Sequence, residues 1–313
     1  MSILLAIFVY ALWASIFPFA KLILEHSPPL FLVGSRMLIG GILILFYILC
    51  TNRSLFKISF KHLLSLALLA FISVYTANVL ESWGLQYLTS AKACFIYSLS
   101  PFFSALFSYF HFNEKMSLKK LIGMLIGFGG ILPVLYNQKG NDELLTLIPL
   151  LSWAELALMG AAISSVYGWV LLRKIIHDIP LSIANGSTMV FGGLFALIHS
   201  FFVENWNPIP VERSEWSSFA QILAIMIVIS NLICYNMQGM LLKRFTVTLL
   251  AFIGLFSPIF ASLSGWMILG EPLSIEIVFS TGILLFGLWI VYSAELRQGY
   301  LANAPISNQP STT

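Results

Sequence analysis

Apolar residues in this chain fall in long blocks rather than in alternating buried and exposed faces. Ten runs stand out, at 3–23, 30–50, 63–85, 89–112, 118–136, 148–172, 181–203, 217–241, 246–269 and 274–294. The breaks between them are marked by charges, prolines and asparagines. A helix of about 20 apolar residues crosses the hydrocarbon of a bilayer while satisfying all its own backbone groups. Each run therefore predicts one span, and the chain reads as an all-α membrane protein of ten transmembrane helices. Only Gln86, Tyr87 and Leu88 separate the third run from the fourth. The longest connection, 204–216 (ENWNPIPVERSEW), is too short to hold a domain.

Composition agrees with that pattern and excludes other classes. Of 313 residues, 59% are apolar and 9% charged, against roughly a quarter charged in soluble domains. Soluble proteins need a largely polar exterior. A soluble enzyme, a nucleic-acid-binding domain and a disordered chain are all excluded. The lipid bilayer is the main partner, and no nucleic acid is expected. Residues 2–24 lack the basic start and small-residue cleavage site of a signal peptide, so they read as the first span. Cys50, Cys94 and Cys234 form no metal-ligand or disulfide spacing,.

Charge placement adds orientation. Lys21, Arg36 and Lys92 lie inside runs. Of the other Lys and Arg residues, Arg53, Lys57, Lys61, Lys115, Lys119, Lys120, Arg173, Lys174, Lys243, Arg244 and Arg297 fall on the side of the N-terminus, and only Lys139 and Arg213 on the other. Basic residues in short loops mark the cytoplasmic side. The expectation is a multi-pass protein of the cell inner membrane with both termini cytoplasmic.

The chain also repeats itself. Gly34-Ser35-Arg36-Met37 followed by Gly40-Gly41 matches Gly186-Ser187-Thr188-Met189 followed by Gly192-Gly193, at an offset of 152. Ser100-Pro101, Glu114 and Ser117 match Ser257-Pro258, Glu271 and Ser274, at an offset of 157. Two matches in one order imply a duplicated five-helix unit. Five is odd, so the second copy enters the membrane from the other side, as in the inverted repeats of secondary transporters. The expected organisation is a first repeat at 1–136, a linker at 137–147, a second repeat at 148–294 and a cytoplasmic tail at 295–313.

Leu269-Gly270-Glu271-Pro272-Leu273-Ser274 resembles the signature of the EamA family of the drug/metabolite transporter superfamily. Phe112-Asn113-Glu114-Lys115-Met116-Ser117 sits where that family's first repeat has the same motif, with Asn113 and Lys115 in place of Gly and Pro. Trp13-Ala14-Ser15-Ile16-Phe17-Pro18 is similar to the family's first helix, and Arg36 to a basic residue of its second. The resemblance covers nearly the whole chain. It implies transport of a small polar metabolite, with no cofactor, no metal and no catalytic residue. Family members differ in cargo. The sequence as a whole resembles a chlamydia-type branch that carries S-adenosylmethionine and S-adenosylhomocysteine. The implied partner is one of these molecules or another amino-acid-like metabolite. An amino-acid or drug exporter is the rival reading within the family, a membrane-embedded enzyme or lipid-handling protein the rival outside it, and a homodimer is left open.

Charges inside a bilayer need a partner, a cavity or a function. Glu81, with Asn78 one turn back on the same face and Tyr75 and Trp83 nearby, suits a cationic ligand through charge and cation–π attraction. Tyr97, one turn before Pro101, is a further binding candidate. An ion pair of Glu81 with Arg36 or Lys92 is the alternative. Arg36 is a candidate for a ligand carboxylate or a tie between helices. Lys92 either does the same or extends to the interface. Trp13, Phe17, Tyr167 and Trp169 offer stacking faces for an adenine. Asn231, Tyr235, Asn236 and Gln238 give the eighth helix a polar face opposite Glu81. Pro101 and Pro258 predict matching kinks within the fourth and ninth helices. Gly123, Gly127, Gly129 and Gly130 predict close helix packing. Glu155 reads as a helix cap.

Overall fold

The computed structural model describes residues 3–56, 60–88, 93, 96–137, 146–148, 151–269 and 276–299. In order, α1 (Ile3–Ala14) and α2 (Ile16–Leu24) form a first helical stretch, bent where the Ser15 hydroxyl donates to the Leu12 carbonyl at 2.7 Å. Next comes α3 (Pro29–Thr51). The third stretch is α4 (Phe60–Leu69), a π-helical segment at Ala70–Thr76, and α5 (Ala77–Leu85). After it come α6 (Ser100–Phe112), α7 (Leu118–Asn137), α8 (Trp153–Ile175) and α9 (Leu181–Val203). The eighth stretch is α10 (Trp216–Met226), a second π-helical segment at Ile227–Cys234, and α11 (Tyr235–Leu242). The chain closes with α12 (Val247–Ile253), a 3-10 turn at Gly254–Phe256, α13 (Ser257–Leu269) and α14 (Glu276–Arg297).

Among the described residues seven stretches are long and apolar enough to cross a membrane: Ile3–Leu24, Pro29–Thr51, His62–Leu85, Trp153–Ile175, Leu181–Val203, Arg213–Leu242 and Phe279–Arg297. The protein is a multi-pass membrane protein. The remaining apolar runs hold α6, α7 and the interrupted pair α12 and α13. Strands Thr146–Ile148 and Leu151–Ser152 form one short antiparallel ladder, too small to change the helical class.

Three local features differ from the sequence expectation. Pro101 does not bend a continuous helix: it stands in the first turn of α6, and Pro258 is likewise the second residue of α13. A proline there needs no N–H partner, so it starts a helix more readily than it bends one. The last helix runs on to Arg297, past the expected boundary at 294, and Glu295 is buried rather than part of a tail. Lys120, counted from the sequence among the basic residues that mark the cytoplasmic side, is also buried.

Both ends of the molecule are tied by polar groups. At one, Lys120 Nζ lies 2.6 Å from Glu295 Oε1, with the side chains 2% and 0% exposed. The Thr246 hydroxyl donates to Glu295 Oε2 at 2.6 Å and accepts the Leu249 N–H at 3.0 Å, capping α12. Arg173 pairs with Glu114 at 2.7 Å and lies 4.7 Å from the Phe112 ring centre. At the other end, Glu204 accepts the N–H groups of Leu30 and Phe31, at 2.8 and 2.9 Å. That carboxylate satisfies the orphan donors at the start of α3 and suits its dipole. Ser152 and Glu155 cap α8 reciprocally, in line with the sequence expectation for Glu155.

Between the ends, α3 and α9 cross where no side chain fits. A Cβ on Gly41 would lie 2.8 Å from both Gly186 O and Val190 N. A Cβ on Gly193 would lie 2.5 Å from Leu38 N and 3.0 Å from Gly34 O. Likewise α7 and α14 meet at Gly287, against Gly123 O and Gly127 N, while Gly129 has nothing within 4 Å. Close packing holds for that glycine series except at Gly129.

Candidate functional site

The two π-helical segments end at Thr76 and Cys234. A π turn inserts an extra residue and so rotates the next part of the helix around its axis; such turns concentrate at functional sites. The first segment leads into Asn78 and Glu81 on α5, and the second into Tyr235 on α11. All three face one central cavity. The breaks ahead of α6 and α13 add Ser100, Gly254 and Ser257 to its wall. The cavity has a volume of about 120 Å³.

One part of the wall is polar. Arg36, buried on α3, donates from Nη2 to Asn78 Oδ1 at 2.5 Å, and its Nε has no protein partner among the described residues. Asn78 donates from Nδ2 to the Val74 carbonyl at 2.8 Å and to the Tyr235 hydroxyl at 3.3 Å. The Tyr97 hydroxyl donates to Glu81 Oε2 at 2.6 Å. The expected alternative, an Arg36–Glu81 ion pair, is not what the described residues show: each charge has its own neutral partner, and both line the cavity. The rest of the wall is aromatic. Trp13 sits 5.6 Å from Trp169 and 5.2 Å from Tyr235, and Trp169 sits 5.7 Å from Tyr235, centre to centre. Phe17 lies against Tyr97 at 6.4 Å.

Eight of the sequence candidates, Glu81, Asn78, Tyr97, Trp13, Phe17, Arg36, Trp169 and Tyr235, therefore share one cavity. Two do not. Tyr167 packs its ring 5.1 Å from Phe107 and 5.4 Å from His111. It is two residues from Trp169, so at 3.6 residues per turn it faces nearly the opposite way. Asn236 accepts from Asn185 at 3.2 Å and donates to Leu232 O, away from the cavity. Lys92 lies outside the described residues. The polar face expected on the eighth helix divides in the same way. Asn231 contacts Met37 and Met189, Gln238 donates to the Tyr10 hydroxyl, and Tyr235 is the member that reaches the cavity. Sequence reasoning missed Tyr10, Ser165 and Gly254 as wall residues. Ser165 had a signal: it is one turn before Trp169.

A cavity with one cation, one carboxylate and a cluster of rings can hold a flat aromatic ligand carrying both charges. Among known proteins, a transporter of Chlamydia trachomatis serovar L2 is 38% identical over 304 residues, covering 96% of this chain and 92% of its own. One of Chlamydia muridarum is 38% identical over 311 residues, covering 97% and 95%. Both are described as S-adenosylmethionine/S-adenosylhomocysteine transporters. A solved crystal structure, 17% identical, superposes with a TM-score of 0.75 over 94% of this chain and 97% of that one, and so shares the fold. Residues 1–136 and 152–293 match the EamA-like transporter family, and the chain belongs to it.

Proposed function

We propose that this chain carries S-adenosylmethionine across the bacterial inner membrane in exchange for S-adenosylhomocysteine, by alternating access. The observation that carries the reading is the cavity itself. The Arg36 guanidinium, with Nε unpartnered, suits the ligand carboxylate,. Glu81 suits its cationic groups, and the Trp13, Trp169 and Tyr235 rings suit the adenine and the sulfonium,. The relatives at 38% identity carry that cargo in their description.

Two inverted five-helix repeats, ten spans in all with cytoplasmic termini, supply the moving parts. Reciprocal contacts support this. Gly41 meets Gly186 and Val190, while Gly193 meets Gly34 and Leu38; each residue lies 152 from its counterpart. Gly123 meets Ile290 and Gly130 meets Ile283, at an offset of 160. The π segments start 157 apart, at Ala70 and Ile227. An interface in which residue i meets j and the counterpart of j meets the counterpart of i implies a two-fold axis.

The test is uptake of labelled S-adenosylmethionine by cells that lack such a system and express this chain. The expected result is saturable uptake, with efflux accelerated by external S-adenosylhomocysteine. No uptake at normal membrane abundance would remove this cargo and favour an amino-acid or drug exporter. Trp169→Ala is expected to raise the KM by roughly 2- to 30-fold, the loss of one cation–π contact of about 0.5–2 kcal/mol. An unchanged KM would take the ring off the binding surface.

A further inference from the structure

The two proposed cargoes differ by a methyl group and by one charge. S-adenosylmethionine carries a sulfonium, an ammonium and a carboxylate, one net positive charge. S-adenosylhomocysteine has a neutral thioether and no net charge. A simple exchange would therefore move charge across the membrane in every cycle.

The cavity holds a group placed to offset that difference. Glu81 Oε2 is occupied by the Tyr97 hydroxyl, while Oε1 has no hydrogen-bond partner among the described residues and the side chain lines the cavity. The titratable and charged groups facing it are Arg36 from α3, Tyr235 from α11, Tyr10 from α1 and Tyr97 from the segment before α6. Arginine keeps its proton throughout, and phenols ionise far above neutral pH. Among these groups a carboxylate is the one able to change charge in the physiological range.

Resting on the cargo proposed for this cavity, we infer that Glu81 is a proton-binding site and that this chain exchanges S-adenosylmethionine for S-adenosylhomocysteine plus a proton. In the entry leg Glu81 is ionised, and its Oε1 faces the sulfonium. A sulfonium has no N–H or O–H to donate, so its attraction is to charge and to the aromatic faces of Trp13, Trp169 and Tyr235. In the return leg Glu81 Oε1 carries a proton taken from water on the inside. It then donates to the thioether sulfur, a weak acceptor. With Arg36 counted, the loaded cavity holds one net positive charge in both legs. One positive charge enters and one leaves, so the cycle is electrically neutral.

The assay uses the purified full-length chain in liposomes loaded with S-adenosylhomocysteine, a trapped pH dye, and valinomycin with potassium to clamp the potential. Labelled S-adenosylmethionine is supplied outside. The expected result is uptake that does not respond to the clamp, alkalinisation inside, and an accumulation ratio that rises about tenfold per pH unit of internal acidity. Simple exchange of a cation for a neutral molecule instead shifts that ratio about 50-fold per 100 mV, with no change in pH. Such a shift overturns the proton site and leaves the cargo assignment intact. No S-adenosylmethionine uptake by the unmodified chain overturns the cargo assignment itself. Glu81→Gln is expected to lose S-adenosylmethionine entry together with the internal alkalinisation, while melting in detergent close to the unmodified chain, which shows that the variant folds. Proton-coupled S-adenosylmethionine entry persisting in Glu81→Gln places the proton elsewhere and overturns the assignment.

Discussion

Replacing Lys120 by Met is expected to cost about 3–5 kcal/mol of folded stability. The change strands the Glu295 carboxylate, which is 0% exposed, without the ammonium now 2.6 Å away. Glu114 lies close enough to add repulsion. Lys120→Met with Glu295→Leu should be far more stable than either single change. Removing both charges at once leaves neither one buried and unpaired, and such double replacements are often neutral. Thr246 loses an acceptor in the double variant but still caps α12 through Leu249. Thermal unfolding in detergent of the singles and the double checks this. A Lys120→Met protein as stable as the parent, or a double variant that loses the sum of the two single losses, would mean the pair contributes nothing. The network also bears on transport. It fixes the start of α12, and α12 leads through Gly254 to Ser257 at the cavity wall.

The sequence shows span limits better than it shows rotation. Lipid demands about 20 apolar residues per crossing whatever the helix does around its axis. Pro29–Thr51 and Leu181–Val203 accordingly match the runs at 30–50 and 181–203. Glu81 and Arg36 were legible as site candidates because a charge at that depth needs a reason. Which neighbours join them depends on helix phase, and hydropathy in a buried bundle carries little phase information. Trp169 and Tyr167 look alike in the sequence, yet one lines the cavity and the other packs on Phe107. The π segments shift the phase again, and nothing in AFISVYT or IVISNLIC marks them. Lys120 and Glu295 misled for a related reason. Near a span end a long charged side chain ordinarily reaches water, and only the packing of α7 on α14 shows that these two turn inward instead.

Gly41→Leu and Gly193→Leu are each expected to cost about 3 kcal/mol, the upper end of overpacking penalties. The reason lies in the atoms the new side chain would meet. At Gly41 it is the backbone of α9, at Gly186 O and Val190 N; at Gly193 it is the backbone of α3, at Leu38 N and Gly34 O. A flexible side chain could turn aside, but a helix backbone moves only with the whole helix, and α3 carries Arg36 and the Glu204-capped helix start with it. Gly129→Leu is the control, since nothing lies within 4 Å of it and the position is exposed. Detergent melting of the three variants decides the point. Near-equal losses at Gly41 and Gly193, with none at Gly129, fit a crossing in which each repeat presents the same surface to the other. A large loss at one and none at the other would contradict that reciprocity. Transport gives a second readout. If the two repeats rock about this crossing, widening it perturbs inward-open and outward-open states alike. Surviving Gly41→Leu protein should therefore lose transport rate while keeping its preference for cargo, because neither Gly41 nor Gly193 belongs to the cavity wall.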